Sequence, residues 1–295
     1  MTVLDSRNST PAWDKTQQFY IFGRGISFSM SPTIHNTGFR HHGLNKYYQI
    51  HEVDKVDECG PFIQSPDFGG ASVTMPYKLQ VSRFCDSISP EAKLIGAINT
   101  LSIQPDPSGR TKIRGDNTDW SGLVKCIQEN YPSHASQHRE NGWVIGAGGA
   151  SRAALYALHR SGVQNIYISN RTRANADQII ADYAHLFKIT YIESWKDMNA
   201  HAADIIIGTI PADTITDDSF KDVQWKEQGG LCIDMSYKPR VTPLMSIARN
   251  QGSWNTASGI DVLLEQGYLQ YNMWTGLDSP RELVRYAVGI DGEES

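Results

Sequence analysis

A glycine-rich turn between a strand pattern and a helix pattern constrains this chain more than any other sequence feature. The apolar segment 143–145 (WVI) is followed by 146–150 (GAGGA), and a helical pattern covers residues 150–161. In such a turn the first glycine permits the tight reversal, and Gly148 lets the backbone approach a pyrophosphate at the helix N-terminus. Ser151 replaces the third glycine of the usual pattern, yet the flanking strand and helix make the signal strong. The turn therefore predicts a dinucleotide-binding unit.

Strand-like and helix-like segments alternate along the chain, after a polar segment at 1–17 that we expect to be a flexible tail. Helices are predicted at 31–44, with Ser31 as N-cap, and at 118–130. The segments TLSIQ and TKIRG around the turn PDPSG predict a hairpin. Strands separated by helices of ~10–15 residues are typical of βαβ units, so we expect an α/β protein with a parallel sheet. The predicted strands cover residues 19–26, 46–53, 69–75 and 95–103 and the segments WVIGAG, NIYISN, KITYI, ADIIIGT and GLCIDMSY.

Composition excludes several classes of protein. The 295 residues are 40% hydrophobic and 20% charged, which rules out wholesale disorder. The net charge is −5 without a basic block, so no nucleic-acid or anionic-membrane surface is expected. No apolar run approaches the ~20 residues of a membrane helix, and the first fifteen residues lack the apolar core of a secretory signal. The scattered cysteines, at positions 59, 85, 126 and 232, favour reduced thiols in a cytoplasmic protein.

Other chemistries lack support in the sequence. His134 and His138 are four residues apart in a polar linker, but no third ligand accompanies them, so no metal site is predicted. The chain contains neither a G-x-S-x-G nucleophile turn nor a G-x-x-x-x-G-K-[ST] phosphate loop. Hydrolase and kinase functions are therefore not expected.

The end of the strand after the glycine-rich turn indicates which dinucleotide binds. Sites that bind NAD usually carry Asp or Glu there, roughly 20 residues beyond the first glycine, to accept a hydrogen bond from the ribose 2′-hydroxyl. Here the residues are Asn170, Arg171 and Thr172, and the first of them lies 24 positions after Gly146. Guanidinium and hydroxyl groups bind a 2′-phosphate, whereas a carboxylate repels it. The segment favours NADP; the alternative is that Arg171 is a solvated surface arginine.

Four polar clusters lie outside this unit; three are at predicted helix starts, and the fourth lies in the strand predicted at 95–103. They contain Ser29 with Ser31, Thr74 with Lys78, Asn99, and Thr118 with Asp119. A lysine in the first turn of a helix opposes the helix dipole, so Lys78 needs another reason to be there. The same dipole favours an ionised Asp119. Taken singly, Ser31 and Thr118 can be helix N-caps and Lys78 a surface charge.

Together with the glycine-rich turn, these clusters make the sequence resemble the shikimate dehydrogenases from about Tyr20 to about Val288. The matching stretches, in chain order, are SFSMSPTIHN, GGASVTMPYK, IGAINT, GDNTDWSG, GAGGASRA, NRT, DMSYKPRVTPL and GIDVLLEQG. The stretches GGASVTMPYK, SPEAKLIGAINT and QYNMWTG are most similar to the dehydrogenase region of the fungal pentafunctional aromatic-biosynthesis polypeptide and to stand-alone fungal shikimate/quinate dehydrogenases. Phe28 departs from the histidine of many members, and Asn175 from a second phosphate-binding basic residue in some, for which Arg173 can substitute.

The resemblance implies an N-terminal α/β substrate domain, a Rossmann-type NADP-binding domain and C-terminal helices that pack back on the first domain. We expect a substrate-binding catalytic domain at 18–118 plus 262–295 and a dinucleotide-binding domain at 119–261. Lys78 and Asp119 would form the catalytic pair. The implied substrate-binding residues are Ser29 and Ser31 for a carboxylate, Thr74, Asn99 and Gln266 for ring hydroxyls, and Tyr237 in the cleft. The implied cofactor-binding residues are Gly146, Ala147, Gly148, Gly149, Ala150, Asn170, Arg171, Thr172 and Arg173.

The activity that the resemblance implies is NADP-dependent interconversion of 3-dehydroshikimate and shikimate. Lys78 would stabilise charge on the forming alkoxide and Asp119 would orient Lys78; the sequence leaves open which of them moves the proton. Two alternatives stay open: a dehydrogenase of quinate or another cyclic polyol, and a regulator of the same fold that binds the metabolite without turnover. The expected partners are the small-molecule substrate and at most a second copy of the chain, with neither nucleic acid nor membrane.

Overall fold

The computed structural model describes residues 15–106, 111–133, 135 and 139–290. Most of the predicted tail, and the two histidines considered for zinc, lie outside these residues. Within them, no helix is both long enough and apolar enough to cross a membrane. Their strands form two six-stranded sheets, one from each half of the chain.

The first sheet is mixed. Its strands are β1 (Gln17–Gly23), β2 (Lys46–Glu52), β3 (Phe68–Val73), β4 (Ser87–Ile88), β5 (Thr100–Pro105) and β6 (Thr111–Asp116). The strand order is β2-β1-β3-β5-β6-β4, in which β5 runs antiparallel to both of its neighbours. The β5–β6 pair confirms the predicted hairpin. Every residue of β3 is buried, because this strand lies in the middle of the sheet.

The second sheet is parallel throughout, as predicted. Its strands are β7 (Asn141–Ile145), β8 (Asn165–Ser169), β9 (Ile189–Tyr191), β10 (Ile205–Gly208), β11 (Leu231–Asp234) and β12 (Asn255–Ala257). The strand order is β12-β11-β10-β7-β8-β9. This is the doubly wound order of Rossmann folds, in which a dinucleotide binds at the carboxyl ends of the two strands where the order reverses. Those strands here are β7 and β10.

Helices connect the strands and pack on both sheets. They are α1 (Ser31–His41), α2 (Gly60–Ile63), α3 (Pro90–Ile95), α4 (Asp119–Asn130), α5 (Gly149–Arg160), α6 (Arg173–Tyr183), α7 (Asp217–Phe220), α8 (Pro243–Arg249), α9 (Gly259–Thr275) and α10 (Arg281–Ala287). Helix α9 packs on α4 and α1 and on strands β3 and β5, and α10 packs on α1. The C-terminal helices therefore return to the first half of the chain, as expected.

One apolar core joins the two halves. Ile95 and Ala97 are fully buried together with Leu123 of α4 and Val144 of β7. Beside this core, Arg152 of α5 donates to the Ile95 carbonyl at 3.4 Å. Because α4 packs on both α5 and α9, no gap in packing marks a boundary at residue 118. The domain boundaries given above therefore stay a prediction.

Three local predictions in the first half were wrong. Strand β1 begins at Gln17, inside the predicted tail. Ser31 is the first residue of α1, and its side chain caps nothing, because Met30 occupies the N-cap position. The strand predicted at 95–103 begins only at Thr100, since the preceding residues end α3 and then form a loop.

The helix whose first turn was expected to contain Lys78 is also different. Two short 3₁₀ turns, Tyr77–Leu79 and Val81–Phe84, take its place. A three-residue turn has almost no helix dipole, so Lys78 does not meet the unfavourable field that the sequence suggested. The environment of Lys78 is set by its neighbours in space instead.

Candidate active site

Lys78 and Asp119 form an ion pair between distant chain segments. Lys78 lies in the 3₁₀ turn after β3, and Asp119 is the first residue of α4. The Lys78 Nζ atom is 2.6 Å from Asp119 Oδ2, and the two side chains are only 14% and 7% exposed. A pair so shielded from water is weakly screened. The structure thus brings together two residues that separate motifs had singled out.

Asn99 holds the other oxygen of Asp119. Its Nδ2 donates to Asp119 Oδ1 at 2.9 Å and to Gln266 Oε1 at 3.1 Å. Its Oδ1 accepts the backbone N–H of Thr118 at 2.8 Å. Thr118 occupies the N-cap position of α4 without capping it, and its hydroxyl donates to Gln266 instead. These bonds lock the loop before β5, the start of α4 and helix α9 together.

A second group of contacts joins the loop after β1 to the loop after β11. Ser29 Oγ accepts the backbone N–H of Ser31 at 3.3 Å, and Ser29 and Tyr237 both line the cleft described below. Burial raises the pKa of Tyr237, so the phenol stays protonated at neutral pH. The Phe28 ring lies 6.0 Å from the Tyr237 ring, with Lys238 Nζ 4.9 Å above it. Phe28, which departs from the family pattern, therefore contacts both Tyr237 and Lys238 through its ring.

A cleft of about 650 Å³ lies among these loops. Its walls come from both halves of the chain, at the ends of β1 and β3 on one side and of β10 and β11 on the other. Ala150 lines it too, and a Cβ on Gly149 would come within 3.2 Å of the Lys78 Cβ. The cleft and the glycine-rich turn are therefore adjacent. All side chains predicted to bind substrate or to act in catalysis line the cleft, namely Ser29, Ser31, Thr74, Lys78, Asn99, Asp119, Tyr237 and Gln266.

The glycine-rich turn, Gly146–Ala150, connects β7 to α5 and includes Ala147. Gly146 has a φ of 122°, a conformation that L side chains rarely adopt, and a Cβ there would overlap Thr209. At Gly148 a Cβ would meet no atom within 4 Å, which leaves room for a phosphate at the start of α5. The Ser151 hydroxyl accepts the Gly148 N–H at 3.0 Å and lies 2.6 Å from Thr209 Oγ1. The serine in the third glycine position therefore braces the turn.

The residues predicted to select the cofactor follow β8, which lies beside β7. Asn170 donates from Nδ2 to the Thr172 carbonyl at 2.8 Å and so shapes this loop. Arg171 is exposed and forms no ion pair with any residue that the structure describes. Its guanidinium is therefore available to an anion near the glycine-rich turn.

Arg173 is already engaged. It forms ion pairs with Glu193 at 2.9 Å and with Asp177 at 3.5 Å, and its guanidinium lies 4.8 Å from the Tyr191 ring centroid. All three charged side chains are more than half exposed, and ion pairs of that kind contribute only ~0–1 kcal/mol. A phosphate can recruit Arg173 at little cost, but Arg171 is the better-placed cation.

Three further polar residues escaped the sequence analysis: Ser72 and Gln270 line the cleft, and Thr100 lies behind it. Ser72 of β3 and Thr100 of β5 both hydrogen bond to Gln270 of α9. Gln270 could have been found, because it lies four positions after Gln266 and so on the same helix face. Ser72 and Thr100 carry no such signal, since single hydroxyls are common on buried strands.

Comparisons with known proteins identify the family. Three family models match in succession: "Shikimate dehydrogenase substrate binding domain" at residues 21–101, "Shikimate / quinate 5-dehydrogenase" at 130–251, and "Shikimate 5'-dehydrogenase C-terminal domain" at 259–288. The chain belongs to the shikimate dehydrogenase family. Within this family the matched regions divide the chain much as its two sheets and its C-terminal helices do.

Individual relatives within the family differ in length and in name. The pentafunctional AROM polypeptide of Schizosaccharomyces pombe is 39% identical over 91% of this chain, which spans 17% of that polypeptide. The quinate repressor protein of Emericella nidulans is 36% identical over 92% of this chain, which spans 34% of the repressor. A shikimate dehydrogenase solved in complex with NADP⁺ is 27% identical, with a TM-score of 0.74 over 92% of this chain and 94% of that one. The chain thus spans a small part of the curated relatives and nearly all of that solved enzyme.

Two glycine substitutions should have opposite effects. Gly146→Ala is expected to lower the free energy of unfolding by roughly 1–3 kcal/mol, because the left-handed φ and the overlap with Thr209 strain the turn. Gly148→Ala is expected to leave stability unchanged and to weaken NADP binding at least ~10-fold, because its methyl group fills the space for a phosphate. Thermal unfolding and calorimetric titration with NADP measure the two effects. Unchanged NADP affinity in Gly148→Ala would show that this turn does not hold the dinucleotide.

Proposed function

We propose that the chain is an NADP-dependent dehydrogenase that interconverts 3-dehydroshikimate and shikimate. The observation that carries this proposal is the largely shielded Lys78–Asp119 ion pair in a cleft beside the glycine-rich turn. Membership in the shikimate dehydrogenase family supports it. The curated relatives are much longer than this chain, so their activities support the proposal without transferring to it directly.

Reduction of a ring ketone needs a hydride at the carbon and a proton at the oxygen. The bound dinucleotide supplies the hydride. Lys78 donates a hydrogen bond to the carbonyl oxygen and stabilises the negative charge that forms there. Asp119 accepts from Lys78, holds its ammonium group in one direction and accepts from a neighbouring substrate hydroxyl. A preoriented pair avoids the reorganisation that water would require.

The remaining polar residues of the cleft suit a small hydroxylated acid. Ser29 and Ser31, with the protonated Tyr237, offer hydroxyl donors to a carboxylate at one end. Thr74, Asn99 and Gln266 line the other end, where ring hydroxyls would replace some of the hydrogen bonds among these side chains. A site built from such groups rejects analogues that lack a matching hydroxyl, because its own buried groups are then left unpaired.

NADP is the proposed cofactor because the first three positions of the cofactor-selecting loop, 170–172, carry one cation, one hydroxyl and no carboxylate. The open space at Gly148 fits a pyrophosphate, and Arg171 fits a 2′-phosphate. The related dehydrogenase solved with NADP⁺ supports the same choice. The proposed partners are otherwise the substrate alone, with the chain a monomer or a homodimer. Its four unpaired cysteines favour the cytoplasm.

Two other functions are kept because relatives carry them by name. One matching family model is described as shikimate / quinate 5-dehydrogenase, and a repressor is 36% identical to this chain. Quinate differs from shikimate in its ring substituents and fits a cleft lined with hydroxyls. A repressor needs to bind the metabolite but does not need a reducing cofactor or an acid–base pair.

Initial rates with four substrate pairs separate these functions. Shikimate and quinate are each assayed with NADP and with NAD. Shikimate with NADP is expected to give the highest kcat/KM. A higher value for quinate would establish the polyol alternative. Zero turnover in all four assays, with shikimate and NADPH both bound in calorimetry, would establish a regulator.

Lys78→Ala is expected to lower kcat roughly 10²–10⁴-fold, the usual contribution of a positioned acid–base group. The matched control is Lys93→Ala, because Lys93 is an exposed lysine on α3, outside the cleft. Steady-state rates and shikimate affinity are measured for both. Near-normal kcat in Lys78→Ala would remove this lysine from the chemistry.

Arg171→Ala is expected to weaken NADPH binding about 10- to 100-fold and to leave NADH binding unchanged, because only NADPH carries the 2′-phosphate. Arg173→Ala should have a smaller effect, since Arg173 is shared with Glu193 and Asp177. Dissociation constants come from quenching of intrinsic tryptophan fluorescence. Equal losses for both cofactors in Arg171→Ala would refute the assignment of the 2′-phosphate site.

A further inference from the structure

A buried glutamine links the two strands that lead into the site. Ser72 of β3 and Thr100 of β5 lie directly opposite each other in the antiparallel register. Gln270 of α9 spans this pair: Ser72 Oγ donates to its Oε1 at 2.9 Å, and its Nε2 donates to Thr100 Oγ1 at 2.9 Å. The three side chains are 6%, 0% and 1% exposed, so water does not replace these bonds.

The same side chains form a longer series of hydrogen bonds that ends at the ion pair. Tyr48, fully buried on β2, donates from its hydroxyl to Ser72 at 2.6 Å. Beyond Gln270, Thr100 donates from its hydroxyl to Asn99 Oδ1 at 2.7 Å. Asn99 then donates to Asp119 at 2.9 Å. We call this series, from Tyr48 through Ser72, Gln270, Thr100 and Asn99 to Asp119, the donor chain.

Backbone atoms fix the direction of the donor chain. The Gln270 amide nitrogen also donates to the Asn99 carbonyl at 3.2 Å, and a carbonyl can only accept, so this amide cannot be flipped. The Asn99 side-chain oxygen faces the Thr118 backbone N–H, which can only donate, so the second amide cannot be flipped either. Thr100 lies between them with one proton. It accepts from Gln270, and its proton goes to Asn99 Oδ1 at 2.7 Å, which is closer than the Thr118 hydroxyl at 3.3 Å.

We propose that Thr100 is a positioning residue. Its hydroxyl accepts a hydrogen bond from the Gln270 amide and donates one to Asn99 Oδ1. These two bonds keep the Asn99 side chain in the orientation that points its amide hydrogens at Asp119 and Gln266. This proposal rests on the proposed function, since it concerns how Asp119 is held for that chemistry. The donor chain orients its side chains but does not conduct protons. The Gln270 and Asn99 amides do not take up a proton at the oxygen and release another from the nitrogen. Thr100 touches neither the cleft nor Lys78. Its Oγ1 lies 2.7 Å from Asn99 Oδ1 and 3.3 Å from Thr118 Oγ1, so it acts on Asp119 only through these two neighbours.

Loss of the Thr100 hydroxyl leaves two buried groups short of a partner. The Gln270 amide keeps only the longer bond to the Asn99 carbonyl, and Asn99 Oδ1 keeps only its bond from the Thr118 backbone N–H. A buried polar group without its partner makes the native arrangement less favourable relative to others. The Asn99 side chain then samples orientations in which Asp119 is not held. The chemical step that depends on Asp119 is therefore slowed, whereas the affinity for the cofactor stays unchanged.

The test compares Thr100→Val with Thr100→Ser. Valine has the shape of threonine without the hydroxyl, and serine retains the hydroxyl without the methyl group. Thr100→Val is expected to lower kcat about tenfold, raise KM for shikimate and leave KM for NADP unchanged, whereas Thr100→Ser stays within about threefold of wild type. Thr111→Val, at an exposed position of β6, is the matched control.

A double-mutant cycle that combines Thr100→Val with Ser72→Ala provides a second test. Because Ser72 and Thr100 act on one glutamine, the double variant should lose less activity than the product of the two single losses. The proposal is overturned if Thr100→Val only lowers the melting temperature while kcat and KM stay within twofold of wild type. It is also overturned if Thr100→Ser is impaired as much as Thr100→Val, since packing rather than the hydroxyl would then matter.

The failure of this proposal is distinguishable from failure of the proposed function. If wild type gives no turnover, the dehydrogenase assignment fails, and calorimetric titration with shikimate replaces the rates as the readout. Asn99 lines the cleft, so Thr100→Val should still weaken shikimate binding while Thr100→Ser and Thr111→Val do not. Equal shikimate affinity in all three variants then overturns the positioning role.

Discussion

The Lys78–Asp119 ion pair is the interaction on which the rest of the site depends. Taking an ammonium and a carboxylate out of water is costly, and their attraction offsets that cost only when other hydrogen bonds satisfy the remaining atoms. Here Asn99 donates to the free carboxylate oxygen, and Asp119 lies at the N-terminus of α4, where the helix dipole favours negative charge. The pair joins residues 41 positions apart in the sequence, so it forms only when β3 and α4 are both packed in their native positions.

Helix α9 packs on both β3 and α4 and so holds these two elements together. Gly122 of α4 faces the helix, and a Cβ there would come within 2.9 Å of the Gln266 backbone nitrogen, so only glycine allows this approach. The approach lets Gln266 reach Asn99 and Thr118. One turn later, Gln270 reaches β3 and β5, and Trp274 donates to the Leu101 carbonyl at 3.0 Å. A single helix face thus connects the central strands of the first sheet to the residues that hold Asp119.

The sequence predicted the features that depend on local patterns, and it did not predict those that depend on contacts between distant segments. The alternation of strands and helices predicted the parallel sheet, and the resemblance to the shikimate dehydrogenases implied that Lys78 and Asp119 would meet. The N-cap role of Ser31 was wrong by one position, because propensity does not decide which residue begins a helix. The engagement of Arg173 and the Ser72–Thr100 pairing were not predictable, since both depend on which side chains tertiary packing places side by side.

The ion pair also bears on the choice between an enzyme and a metabolite-binding regulator. Hydroxyls and amides are enough to recognise a small polyol acid, so binding alone explains the rest of the cleft. A buried ion pair is weak support for stability, because apolar residues of similar volume often replace such pairs without loss. A site that only binds gains little from an ammonium group held beside a glycine-rich turn with room for a phosphate. A site that must stabilise an alkoxide next to a dinucleotide needs that group in that position, and this requirement explains the donor chain behind it.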